Sequence, residues 1–130
     1  MRNLVAIGGL MAAALCLGNS GALAGPWEDG MAAYNRGDYV PAIRLFRPLA
    51  ENGNPKAQGV LGRMYRKGQG VARNPAQAFM WLSLAARRGD ARARADMREV
   101  SQAMSPQERA QANEMAGACE ASNYRACEYF

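Results

Sequence analysis

The chain contains no histidine and no threonine. Without histidine it lacks the commonest general base and the imidazole ligand that most metal sites use. Beyond residue 24 its serines are Ser83, Ser101, Ser105 and Ser122, and none stands in a nucleophile motif. Cysteine is scarce as well. Once Cys16 is set aside, only Cys119 and Cys127 remain, and a bridge uses them both, leaving no soft ligands for zinc. The carboxylates Glu51, Asp96, Glu99 and Glu114 are scattered among arginines, with no pairing that suggests glycoside chemistry. Gly68-Gln69-Gly70 is not followed by Lys-Ser or Lys-Thr, so it is not a phosphate-binding loop. The expectation is a protein with no catalytic residues, no cofactor and no metal. Long apolar runs are missing too: Leu4 to Leu17 is shorter than the roughly 20 residues a membrane span needs.

What that short run does fit is a secretory leader. Arg2 supplies the positive start, Leu4–Leu17 the apolar segment, and Ala22-Leu23-Ala24 a small-x-small cleavage site, so residues 1–24 read as a signal peptide with Gly25 next. Ala13-Ala14-Leu15 before Cys16 does not fit a lipoprotein motif, because Leu15 is not small. The chain is therefore expected in the periplasm or outside the cell, with no stable membrane insertion after cleavage. The net charge of +5 falls by one when Arg2 is removed, and nothing else suggests a nucleic-acid partner. An even cysteine count in an exported chain predicts a Cys119–Cys127 disulfide, the alternative of two free thiols being disfavoured by an oxidising compartment. Closing so short a loop contributes roughly 2–3 kcal/mol and clips the tail, residues 122–130, to the last helix. Tyr124, Tyr129 and Phe130 are expected to pack beneath it. The remaining length suits one domain, expected to be monomeric.

The dominant positive feature is repetition. Ala50-Glu51-Asn52-Gly53-Asn54-Pro55-Lys56-Ala57 recurs 36 residues later as Ala86-Arg87-Arg88-Gly89-Asp90-Ala91-Arg92-Ala93. A period of this size marks an architecture whose units bury their apolar faces only by stacking. Asp38, Asn54, Asn74, Asp90 and Ser105 are good helix N-caps, with proline following at 55, 75 and 106. Ser105 and Glu108 form a capping box, and Gly37, Gly53, Gly68 and Gly89 are helix stops. Six helices follow, about 26–36, 39–52, 55–67, 75–88, 91–104 and 106–120. Ala57, Val60, Leu61, Met64 and Tyr65 make one apolar stripe, and Ala78, Phe79, Leu82, Ala85 and Ala86 another. The helices group into hairpins of about 26–53, 54–89 and 90–121, a domain over 25–121. The middle hairpin alone carries an insertion, residues 69–73, in which Gly70 allows a tight turn and Val71 plugs the gap between helices. Gly59 and Gly62, each costing about 1 kcal/mol inside a helix, imply close approach of a neighbour, with Ala85 and Ala86 as the facing surface.

The series Ala57-Gln58-x-x-Leu61-Gly62-x-Met64-Tyr65-x-x-Gly68-x-Gly70-Val71, followed by Asn74, Ala78, Trp81, Leu84-Ala85-Ala86 and Gly89, resembles a Sel1-like repeat. Leu49-Ala50-Glu51-x-Gly53 is the back half of a preceding unit. Residues 91–119 are a degenerate third unit, with Arg98 where glycine is expected. The resemblance implies an all-α, right-handed superhelical α/α solenoid of tetratricopeptide type, in a small exported bacterial protein. It also implies an adaptor that holds another protein on its concave surface. Some secreted relatives are associated with penicillin binding or β-lactamase activity, but those carry a cysteine pair within each repeat, and residues 38–104 contain none. A structural part in an envelope assembly is the other alternative.

The candidate partner surface is basic. Lys56, Arg63 and Lys67 fall on one side of the third helix beside Val60, and Arg92 repeats Lys56 one unit on. This edge, on the odd-numbered helices, would attract an acidic partner. The competing reading is a solvated face in which Arg63 pairs with Glu99.

Overall fold

The computed structural model describes residues 24–127 as six helices with no strand among them: α1 (Pro26–Asn35), α2 (Tyr39–Glu51), α3 (Pro55–Lys67), α4 (Pro75–Arg87), α5 (Ala91–Gln102) and α6 (Pro106–Ala121). The expected leader up to Leu23, and Tyr129 and Phe130 of the tail, lie outside the described residues. The helix ends are chemically explained. The Asn54 side chain accepts from the amides of Lys56 and Ala57, Asn74 from Gln77, and Asp90 from Ala93. Ser105 and Glu108 close the capping box in both directions. Asp38 departs from expectation: its carboxylate makes no cap bond and instead accepts from Arg36 Nε at 3.1 Å, drawn off by the nearer cation. The duplicated turns both close on glycine in the left-handed region, Gly53 at φ 83° and Gly89 at φ 94°.

The centre of the molecule is α4. Every residue from Gln77 to Ala86 is buried, so the helix has no solvent face. Met80, Trp81 and Leu84 face one apolar cluster, shared with Ile43 and Phe46 of α2 and Leu61 and Met64 of α3. Phe79, Leu82 and Ala85 face a second, shared with Ala93 and Val100 of α5 and Ala112 of α6. The stripe expected on α4 is therefore one of two. Burying Trp81, Phe46 and Leu61 completely contributes about 1.5–3 kcal/mol for each side chain.

Successive helices pack side by side through the first five. α3 and α4 make the most extensive contact, and an added Cβ at Gly62 would meet Leu82 Cγ at 2.7 Å and Leu82 N at 3.1 Å. The missing side chain thus lets α4 seat directly on α3, with Leu82 as the facing residue. Ala85 instead faces Gly59, together with the Asp90 carboxylate. The inserted loop also rests on the preceding pair. Gly70 abuts the backbone of Tyr39, Tyr34 donates to Gln69 Oε1 at 3.3 Å, and Val71 joins the first cluster.

The third pair does not close as a hairpin. α5 and α6 make little contact with one another, and each lies instead on α4. Positions explain why. Counting 36 residues along the first helices and 31 along the second, Gly62 and Leu82 become Arg98 and Asn113, so a close apolar seam becomes a polar one. On the other side, Trp81 and Ala85 become Ala112 and Ala116, both fully buried, and these small residues let α6 sink onto α4.

The tail is seated on the first cluster. Cys119 and Cys127 are bonded, with Cα atoms 4.5 Å apart, and both are buried. Tyr124 is 5% exposed, and its hydroxyl accepts from the Arg88 guanidinium, Nε at 3.0 Å. Asn123 and Tyr124 both adopt positive φ, 56° and 64°. A conformation unfavourable for such residues is held by the bridge, the buried ring and the Arg88 bond. The tail covers the Gly53 turn, where an added Cβ would lie 3.1 Å from the Tyr124 ring.

Candidate functional site

A groove of about 200 Å³ lies on the odd-numbered helices. Trp27 and Met31 enter it from α1, Lys56, Val60 and Arg63 from α3, and Asp90 and Arg92 from the start of α5. Each position has a local cause. Pro26 starts α1 at the described N-terminal end, and the four-residue spacing of Trp27 and Met31 puts both on one face. Trp27 also packs against Phe46, ring centroids 5.4 Å apart, which fixes its rim. The Asn54 and Asp90 caps place Lys56 and Arg92 in the first turns of α3 and α5. The repeated turn thus brings one cation from each unit to the same groove.

The electrostatics separate the four basic residues of the expected edge. Arg63 is held by Asp96 at 3.2 Å, with side chains only 11% and 14% exposed. The expected Arg63–Glu99 pairing is not the one formed: Glu99 takes Arg66, at 2.6 Å. Both pairs, and Arg87–Glu120 at 2.7 Å, join residues 33 apart in sequence. Between α3 and α5 this falls about one turn short of the 36-residue period, so Arg63 and Arg66 each meet the acid one turn earlier; between α4 and α6, whose period is 31, Arg87 reaches two residues further along. Asp90 accepts from the Ala93 amide through Oδ1 and brings one negative charge to the groove lining. Lys56 and Arg92 are exposed and have no carboxylate partner among the described residues. Lys67, at the far end of α3, is exposed and does not line the groove.

The site is an apolar floor with two unpaired cations at its edge. Such a surface can hold an extended or helical segment by side-chain burial and charge. Trp27, Met31 and Asp96 were not picked out from the sequence. The Trp27–Met31 spacing was visible, but which face α1 presents depends on its packing against α2. Among the described residues no three His, Cys, Asp or Glu side chains gather as metal ligands. Nor is any helix long and apolar enough to cross a membrane.

Stacked helices joined by glycine turns define an α-helical repeat solenoid. Residues 55–90 match the Sel1 repeat family, whose repeats are of the protein-interaction scaffold type. The match spans α3, the inserted loop, α4 and the Gly89 turn, which is the most tightly packed part of the molecule. No curated protein matches the chain.

Proposed function

We propose that this protein is an exported, non-catalytic adaptor that seats a segment of another protein in the groove between α1, α3 and α5. The observation that carries this reading is the pairing of Trp27, Met31 and Val60 with Lys56 and Arg92, the two cations of the groove that have no acid partner among the described residues. Unpaired cations beside apolar surface favour an acidic partner, for which they speed encounter and select orientation. The leader-like residues 1–24 and the bonded cysteine pair support export, since such bridges persist in oxidising compartments. The other residues put forward for the surface, Arg63 and Lys67, have lesser parts: Arg63 braces α3 against α5, and Lys67 is solvated.

The test is capture from a periplasmic extract, with crosslinking and mass spectrometry. Lys56→Glu combined with Arg92→Glu reduces partner capture about tenfold or more, while the thermal unfolding curve stays in place because both side chains are exposed. Equal capture by the double variant overturns the assignment of the surface.

A further inference from the structure

A second recess lies where α5 and α6 fail to meet. It measures about 290 Å³ and opens over α4. Phe79, Ser83 and Ala86 form its floor, Arg94 and Met97 its α5 wall, and Asn113 its α6 wall. Ser83 is satisfied, its hydroxyl donating to Met80 O at 2.8 Å. In the neighbouring unit the positions equivalent to Arg94 and Met97 are Gln58 and Leu61, both fully buried. The third unit therefore leaves open a face that the second unit fills.

We infer that this cleft is a seat for an acidic amphipathic helix of a partner protein, at a site separate from the groove. Three observations commit to that occupant. The first is shape: α5 and α6 each lie on α4 and scarcely touch one another, which leaves an apolar recess between three helices of the kind that the side chains of an amphipathic helix fill at i, i+3 and i+4. The second is charge. The acids of α5, Asp96 and Glu99, are spent on Arg63 and Arg66 of α3, and Arg87 at the cleft is neutralised by Glu120. Arg94, and Arg98 one turn on, have no acid among the described residues. Arg94 is in the lining itself, whereas Arg98, Gly117 and the acid Glu114 flank it.

The third observation is Gly117, one turn beyond Asn113 on the same face of α6. An added Cβ there would meet nothing within 4 Å, unlike Gly30 and Gly62, whose bare backbones admit Phe46 and Leu82. Inside a helix glycine weakens the fold, and at position 117 no internal contact requires it. Close approach of an outside backbone gives it a use.

The probe is a pair of fluorescent helical peptides that share an i, i+3, i+7 leucine stripe. One carries glutamate on both flanks and the other lysine. The full chain binds the glutamate peptide about tenfold more tightly than the lysine peptide, and Arg94→Glu together with Arg98→Glu removes that preference. Gly117→Leu abolishes binding while raising the melting temperature, since leucine is the better helix former. That opposite movement separates a blocked seat from a damaged fold. Lys56→Glu with Arg92→Glu leaves peptide binding unchanged, which keeps this site distinct from the groove. Four outcomes overturn the inference: no saturable binding of the glutamate peptide, equal binding of both peptides, normal binding by the Gly117→Leu chain, or self-association lost in the Arg94→Glu, Arg98→Glu chain without peptide binding, which would assign the cleft to a second copy.

Discussion

The α3–α4 pair and the α5–α6 pair descend from one pattern and pack in opposite ways. In the first, Gly62 admits Leu82 and the helices close on each other. In the second, Arg98 and Asn113 occupy those positions, and the helices part. The chain did not lose the third unit's stability outright, because α6 found another surface. With Ala112 and Ala116 in place of Trp81 and Ala85, it settles on α4, and the disulfide ties the tail onto the same core. Repetition in sequence therefore preserves helices while a few substitutions at the seam reassign their neighbours. The reassigned unit gives up internal closure and gains an open, charged recess.

The comparison breaks most visibly at the largest buried side chain. Trp81→Ala destabilises the fold by about 3–5 kcal/mol, because the void left at a fully buried position cannot collapse. Met97→Ala, on the half-buried wall of the recess, costs about 1 kcal/mol or less. Urea denaturation of both variants measures the contrast, and similar costs would mean that the two units are packed alike.

Gly62→Leu comes next. The added atoms run into Leu82 and its backbone nitrogen, so overpacking of about 3 kcal/mol is expected, read from the same denaturation curves. A near-neutral result would show that α4 can move away from α3 as α6 has from α5.

The smallest effect sharpens the comparison by repairing it. Arg98→Leu combined with Asn113→Leu restores an apolar seam and stabilises the protein by about 1 kcal/mol. The same variant closes the recess and loses the glutamate peptide. An unchanged midpoint would show that the polar seam is not what holds α5 and α6 apart.

Much of this architecture was legible in the sequence because its signals are local. A cap side chain reaches only to the amides of the next turn, so Asn54, Asn74, Asp90 and Ser105 announce helix starts wherever they lie. Asp38 shows the limit, since Arg36, two residues away, took its carboxylate. The site was legible only in part. Lys56 and Arg92 could be placed after equivalent turns of successive units, but Arg63 could not be known to be occupied, because Asp96 reaches it through a one-turn offset between stacked helices.

The sequence by itself determined that this protein is a stack of helices of set length and order, joined by glycine turns and bridged at its end. Those properties rest on hydrogen bonds and torsions within a few residues. Only the tertiary structure decided that α4 would be buried on every side, that α6 would leave α5 for α4, and which arginines would remain without an acid. Each of these depends on the volume and charge that two distant segments present to one another, as at the seam where Gly62 and Leu82 in one unit become Arg98 and Asn113 in the next.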